Sequence, residues 1–481
     1  MANTTSLLGD VRRDKRAEWL VERIATTGSL VMRKVSGGRD GEVAAHRFLS
    51  SQEVDPQKLL EPHTARTAEA CRNRRVVAIQ DTSEINFERH RQPAAGLGPT
   101  GNNDIRGFFV HPVVAVDADD EALLGIAGAR IWTRGEEPTP MHNTIPYDEK
   151  ESRRWLEGSE IAAAELAPVA AEVIMVADRE GDIYSMFARQ PETVGFIVRA
   201  SHDRVLYETD AVEDDTDTNE TDAAQAAQAA KAAKVAKART LFSAPSAWPV
   251  LGTGEVNIKP RRPGVKKRTA TVTVKAGTVT LKRPRNSPDK HDIDMLQVGL
   301  VEVREEAASA GDNEPLLWRL VTTLPVETLE DAKEVVRLYR LRWRIEEMFR
   351  VLKRDGLDIE DSQLETASRL LNLAALGLVA AGRIIQLVDA RNGSTRPATD
   401  VIAAADIEAA AVLSDDLEGS TERQKNPHAK GSLAWLAWIV ARFGGWNCYY
   451  KPPGPKTMAH GLDRLMDRIE GVKLAARLRN V

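Results

Sequence analysis

Tyr339, Arg342, Glu346 and Lys353 share one stretch, RLYRLRWRIEEMFRVLK, whose apolar spacing predicts a helix from end to end. At about 100° per residue the four fall within an arc of about 60°, and Leu338, Leu341, Ile345, Met348, Phe349 and Leu352 fill the arc beside it. Such a helix presents a carboxylate, a guanidinium, an ammonium and a phenol together. One acid among cations and an aromatic suits a divalent metal working on phosphate, because the carboxylate holds the ion while the cations hold ester oxygens. A solvated face laced with i,i+4 ion pairs carries the same residue types, so residues elsewhere must decide.

Two strand ends supply the partners. The run RVVAIQ at 75–80 stops at Asp81-Thr82-Ser83, and EVIMVA at 172–177 stops at Asp178-Arg179-Glu180-Gly181-Asp182. Open α/β sheets place their ligand sites beyond the carboxyl ends of strands. Two such acids with Glu346 make an oxygen-only, hard donor set that suits Mg²⁺ or Mn²⁺ far better than zinc. An Asp after a strand also serves as a helix cap or turn former. Asp182, following Gly181, is placed to cap a helix starting IYSMF, which leaves Asp178 as the expected ligand.

The spacing of Tyr339, Arg342, Glu346 and Lys353, with two, three and six residues between them, resembles the Tyr-Arg-Glu-Lys signature of bacterial insertion-sequence transposases of the DDE type, in their cut-and-paste subgroup. The resemblance extends over LGDVRR (8–13), AHRF (45–48), Asp81-Thr82, RGFFVH (106–111), DEKES (148–152), DREGD (178–182), Trp318, Trp343 and KPPGP (451–455), in that order. It implies an α/β, RNase H-like catalytic core, a mixed sheet with helices in which 113–116 and 123–132 are middle strands, carrying an inserted β subdomain and flanked by helical N- and C-terminal domains. The implied divisions are 1–68 for DNA-end binding, 69–375 for catalysis and 376–481 for dimerisation. The insertion occupies about 201–327, between the last core strand at 196–199 and the Glu346 helix, with a low-complexity excursion at about 209–240.

The chemistry implied by this resemblance is two-metal phosphoryl transfer on double-stranded DNA. Asp81, Asp178 and Glu346 would hold two Mg²⁺ ions, with Mn²⁺ able to substitute, about 3.5 to 4 Å apart. Water attacks first, the freed 3′ hydroxyl makes a hairpin with the opposite strand, a second water opens it, and the 3′ ends join target DNA. Tyr339, Arg342 and Lys353 would grip the phosphate near the transferred end, Arg342 by two parallel bonds and Lys353 as a point charge. Trp318 and Trp343 would manage a base flipped from the terminal duplex, one as wedge and one as platform. A homodimer would hold two paired ends, each subunit acting on the end held by the other.

Composition agrees without identifying anything. The 481 residues, 42% hydrophobic, are enough for two to four domains with real cores. The two cysteines, Cys71 and Cys448, lie far apart and outside any Cys-x-x-Cys spacing, so neither a disulfide framework nor a zinc ribbon is supported. No apolar run approaches membrane-spanning length and the first ten residues lack a leader pattern, so a cytoplasmic protein is expected, on the nucleoid when bound to DNA. A net charge of −5 argues against simple coating of nucleic acid, which leaves local patches. One is the helix expected over 10–27, rich in Arg12, Arg13, Lys15 and Arg16 and followed by Arg33 and Lys34. Exposed helices are often basic; by resemblance, Arg12, Arg13, Arg33 and Lys34 contact the phosphates of the terminal repeats.

The segment 210–237 passes from acidic to alanine-rich and basic, with no bulky apolar residues to bury, and reads as an excursion or lone surface helix. After it come a strand at 271–274, a turn at 275–277 and a strand at 278–281, with Arg261, Arg262, Lys266, Lys267, Arg268, Lys282, Arg283 and Arg285 around them as a basic ridge. The glycines of 96–101 fit a dinucleotide pattern only nominally, since Pro99 lies among them and no strand precedes. The histidines form no zinc hydrolase motif, and His111 reads as structural or as a neighbour of DNA. Apolar helices at 364–392 and 431–446 are too hydrophobic to stay solvated singly, which suggests an interface. A generic RNase H-like nuclease would share the acids but need neither the basic N-terminal segment nor the Tyr, Arg and Lys companions. A non-cutting end-binding inhibitor would lack that segment or an acid.

Overall fold

The computed structural model describes residues 6–88, 92, 94–101, 105–135, 145–207, 239–258, 268–310, 314–354 and 356–479. Four helices come first: α1 (Val11–Thr27), α2 (Met32–Val35), α3 (Arg39–Leu49) and α4 (Pro56–Ala70). Then follow β1 (Arg75–Gln80), β2 (Ser83–Asn86), β3 (Gly98–Thr100), β4 (Ile105–Asp117), β5 (Leu123–Trp132), α5 (Arg154–Glu165), β6 (Glu172–Ala177), α6 (Tyr184–Ala188) and β7 (Gly195–Arg199). The next elements are β8 (Gly252–Ile258), β9 (Arg268–Lys282), β10 (Met295–Glu305), α7 (Ala307–Ala310), β11 (Leu317–Thr322), α8 (Leu329–Arg340) and α9 (Trp343–Lys353). Four more helices close the chain: α10 (Ala367–Ala390), α11 (Ile407–Asp415), α12 (Leu433–Phe443) and α13 (Pro455–Arg479). Arg261, Arg262, Lys266, Lys267 and nearly all of 209–240 lie outside the described residues.

The first of two compact units comprises Met1–Pro138, Glu160–Val173 and Leu341–Val481. Its sheet is organised by β4, which pairs antiparallel with β1, β2, β3 and β5. The runs VVAI in β1 and FFV and VVAV in β4 are buried on both faces, as β-branched and aromatic strands inside an α/β layer should be. α10 is the hub of the helices, packing on β5, α1, α4, α9, α12 and α13. It corrects one expectation. By length and composition this helix could cross a membrane, with mean hydropathy 1.7 over 18 residues, but 89% of that window is buried inside the protein. The apolar surface of α10 and α12, expected to serve an interface, is thus largely covered within the chain. The buried polar groups of α10 are also met internally: Asn372 donates to the carbonyls of Leu49 and Val54 (3.0 and 3.1 Å), Gln386 to that of Leu124 (2.7 Å).

The second unit comprises Thr139–Ser159 and Ile174–Arg340. Here β6 and β7 are parallel, and β11, β10, β9 and β8 continue antiparallel from β7. The turn expected at 275–277 does not exist. β9 is one 15-residue strand, paired with β10 straight through Lys275–Glu302, Ala276–Val301 and Gly277–Leu300. Gly277 serves close approach instead, since a Cβ there would stand 3.0 Å from the Trp248 indole. Of the basic ridge, Arg268 pairs with Glu305 and Arg283 with Asp294, so these charges already have internal partners. Mixed α/β sheet with helices is consistent with an RNase H-like core.

Candidate active site

Asp81 stands at an interruption in the sheet. The pairings of β1 and β2 with β4 run in step, Gln80 opposite Val113 and Ser83 opposite Val110, which sets Asp81 against Pro112 and Thr82 against His111. Proline has no N–H to give a ladder, and regular pairing lapses there. The Asp81 side chain is nearly buried: Oδ1 accepts from the Thr82 N–H (2.8 Å) and Oδ2 from Arg342 Nη1 (2.9 Å). His111, itself buried, reaches both neighbours of Asp81, with Nε2 at 2.9 Å from Gln80 Oε1 and Nδ1 at 2.9 Å from Thr82 Oγ1. Residues two apart on an extended chain share a side, so this clamp holds the strand end from the side away from the Asp81 carboxylate. It gives the structural alternative for His111 a definite content. No local motif marks it; the signal is that His111 falls opposite Thr82 once the strands pair.

Arg342 joins two acids. While Nη1 binds Asp81, Nη2 lies 3.2 Å from Glu346 Oε1, one helical turn on. The uninterrupted helix expected across this stretch is instead two helices, α8 ending at Arg340 and α9 beginning at Trp343. Between them Arg344 N–H bonds to the Leu341 carbonyl (2.8 Å) and Ile345 N–H to that of Arg342 (3.2 Å), the three-residue bonds of a tightened turn. No Gly or Pro announces the break. Arg342 is held there by a carboxylate 261 positions away, which helical periodicity cannot register. The arc drawn for one helix therefore does not apply to Tyr339, which lies on α8.

Lys353 closes α9. Its Nζ donates to the Glu84 carbonyl of β2 (2.7 Å) and lies 3.4 Å from Glu360 Oε1, and Glu360 also accepts from the Asn86 N–H (3.2 Å). Trp343 is 51% exposed, with the Arg342 guanidinium 5.6 Å from its ring centre.

Asp178, Tyr339 and Trp318 belong to the second unit. Asp178 follows β6, and its Oδ1 caps the turn Arg179–Gly181 by accepting from the Glu180 N–H (2.8 Å). Asp182 is not the expected helix cap: Ile183 stands at that position, without a side-chain bond. Buried Asp182 instead accepts from Arg204 Nη2 (2.6 Å) and from the N–H groups of Ser201 and His202 (2.7 and 2.8 Å). Burial opposes its charge, but Arg204 and these donors hold its carboxyl below the usual range. Tyr339 is buried, and the edge of its ring system meets Trp318 at 5.6 Å between centres.

Among the described residues no group of three or more His, Cys, Asp or Glu is gathered as a metal cluster. Asp81 and Glu346 nevertheless fit a divalent ion in kind, being hard oxygen donors already organised around one shared positive charge. At the N-terminus Arg12 is exposed, Arg13 donates to the Leu8 carbonyl (2.9 Å), and Arg33 and Lys34 project from α2. Arg33 lines an open cleft of about 920 Å³ with Arg39, His46, Arg47 and Arg369. Sequence reading missed Arg39, Arg47 and Arg369 as companions. The first two share a face of α3 at i and i+8, but Arg369 comes from α10 and only the fold brings it there.

Residues 181–381 match the family model described as Transposase DDE domain. The matched segment takes in Trp318, Tyr339, Arg342, Trp343, Glu346 and Lys353; Asp81 and Asp178 precede it. With Glu346 inside that segment and Asp81 joined to it through Arg342, the match supports a DDE-type transposase, from a family of DNA-acting enzymes that generally use divalent metals.

Proposed function

We propose that the protein is a cut-and-paste transposase of the Tyr-Arg-Glu-Lys subgroup, which binds inverted-repeat ends, cuts them through a hairpin and joins the 3′ ends to target DNA. The observation that carries this reading is the sharing of Arg342 by Asp81 and Glu346, at 2.9 and 3.2 Å. Two acids from a strand end and a helix converge on one cation, in a chain whose later acid lies in a transposase-type segment.

Asp81, Glu346 and Asp178 would hold the divalent ions, Mg²⁺ or Mn²⁺. When bound, such ions supply positive charge to the attacking and leaving oxygens of an in-line displacement. The remaining work falls to side chains. Arg342, released from the carboxylates, offers a planar fork to two phosphate oxygens, and Lys353 offers a point charge beside it. The Tyr339 hydroxyl steadies the same phosphate and is not a nucleophile, since no covalent protein intermediate is needed. Trp318 and Trp343 receive the unstacked terminal base; unstacking costs a few kcal/mol, and an aromatic face returns about 1 to 3 of it.

Arg12, Arg13, Arg33 and Lys34 hold the phosphates of the end, with 1–68 as the end-binding domain and 69–375 as the catalytic one. Residues 376–481 mediate a homodimer in which cutting waits for two paired ends, in the cytoplasm. The test is incubation of the purified protein with Mg²⁺ and its own flanking DNA ends. Hairpin ends and strand-transfer products are expected, with Asp81→Ala abolishing both while end binding persists. Unchanged cleavage by Asp81→Ala would remove Asp81 from the site.

A further inference from the structure

We infer that the open cavity lined by α4, α10, β5 and the segment 395–400, all within the first unit, binds a nucleoside phosphate at a place separate from the acidic site. The inference does not depend on the transposase reading. The cavity is about 500 Å³, inside the usual range for small-molecule sites and larger than a single phosphate needs.

Two helices turn matching stripes toward it. α4 contributes His63, Arg66, Thr67 and Ala70, and α10 contributes Val379, Gly382, Arg383 and Gln386, each set spaced i, i+3, i+4, i+7. The turn into β1 adds Arg72 and Arg74, and the chain after α10 adds Arg396. Five guanidinium groups thus line the cavity, and four carboxylates meet them: Glu69 on Arg72, Asp400 on Arg396, Asp117 on Arg74, and Glu18 on both Arg66 and Arg383. Guanidinium forks match phosphate oxygens better than any other side chain does.

These arms are held before any ligand arrives. Arg396 donates to the carbonyls of Leu123 and Leu124 (2.5 and 3.3 Å), Arg74 to Asp117 (2.5 Å) and Arg383 to Glu18 (2.7 Å). Arg66, Arg74 and Arg383 each meet their carboxylate through one terminal nitrogen, which leaves their other N–H groups for a ligand, and side chains already fixed lose little freedom on binding. Burial, and after it the charge of Arg383, holds the His63 imidazole down to about 3, so His63 is neutral beside the arginines. Leu124, Ile126, Val379 and Pro397 supply an apolar wall, which suits a base ring rather than more phosphate. The wall is open at Gly382, where an added Cβ would meet nothing within 4 Å.

The place differs from the acidic site. β1 starts at Arg75, next to Arg74 of the cavity, and Asp81 follows its far end. Six extended residues put about 20 Å between the two.

The experiment is calorimetric titration of the full-length protein with ATP and, separately, with inorganic phosphate, in EDTA and without DNA. Saturable binding of one ATP per chain is expected, with phosphate at least about tenfold weaker. Arg66→Glu combined with Arg72→Glu, both at side chains more than half exposed, should weaken ATP at least about tenfold. Gly382→Met should abolish binding by filling the space without altering charge, and its circular dichroism will report whether it is folded. Should Gly382→Met fail to fold, the double arginine variant decides. Asp81→Ala should bind ATP like the wild type. The inference is overturned by no saturable binding, by phosphate binding as tightly as ATP, by a folded Gly382→Met or a double arginine variant that binds normally, or by loss of binding in Asp81→Ala.

Discussion

Arg342 Nη1 lies 2.9 Å from Asp81 Oδ2, an ion pair between residues 261 positions apart, and the second arm of the same guanidinium serves Glu346. Asp81 and Arg342 have side chains nearly nine-tenths buried. Without a metal ion, the carboxylates that would repel one another are balanced by a cation belonging to the protein. A guanidinium so engaged cannot at the same time fork a phosphate. On the proposed reading, occupation of the acids by metal and use of Arg342 on DNA would therefore be linked steps.

Arg342→Ala should lower the stability of the metal-free protein by about 1–3 kcal/mol, since it strands a buried carboxylate. Mn²⁺ should then raise the thermal midpoint more in the variant than in the wild type, because no internal cation competes for the acids. Differential scanning fluorimetry in EDTA and with Mn²⁺ checks this. Equal metal-induced shifts in the two proteins would count against a shared cation.

His111→Ala should leave Gln80 and Thr82 without the ring that ties them together, at a cost of about 1–3 kcal/mol for buried polar groups. Cleavage of DNA ends should fall while end binding in a mobility-shift assay stays within about threefold, roughly half of the tenfold step on a logarithmic scale. A variant that cuts at the wild-type rate would make the clamp irrelevant to Asp81.

Glu18 ties α1 to α4 and α10 through Arg383 (2.7 Å), Arg66 (3.2 Å) and His63 (3.8 Å). Burial opposes its charge, yet Arg383 above all holds its carboxyl down to about 2 from an ordinary 4.5. A depressed carboxyl contributes stability that is fully present above its unfolded value and is lost as pH falls through its folded one. Glu18→Gln should therefore be less stable than wild type at pH 6, with the gap closing from about pH 4.5 toward 2. Urea midpoints at pH 6, 4.5 and 3.5 measure it, and a gap that widens on acidification would contradict the assigned partners.

Gly277→Val separates the continuous β9 strand from a turn. Inside the strand the new side chain meets the Trp248 ring, and overpacking should cost about 1–3 kcal/mol in thermal or urea unfolding. A turn would leave valine facing solvent with little effect. Unchanged stability would therefore restore the turn.

β1 and β6 were legible to the residue, because an apolar run bounded by Asp and turn residues is a local signal. The helix expected over 10–27 runs Val11–Thr27, and Asp10 stands outside it as its cap, accepting from the Arg12 N–H at 2.8 Å. The i,i+4 spacing of Arg342 and Glu346 is met as an ion pair, the contact that helical periodicity alone predicts.

What local periodicity could not see was decided by partners distant in the chain. α8 and α9 separate at Leu341-Arg342 where Asp81 holds the arginine, and β9 runs through Gly277 because β10 and Trp248 are there to meet it. Asp182 read as a helix cap and became the acceptor for Arg204, while the apolar length of α10 read as surface for an interface and became the hub of a helical core. The sequence by itself determined which residue types could do chemistry and where strands such as β1 and β6 run, since those follow from side-chain type and period. Tertiary structure alone decided which acid each arginine meets, because ion pairs and close packing depend on distance in space, and spacing along the chain carries no record of it.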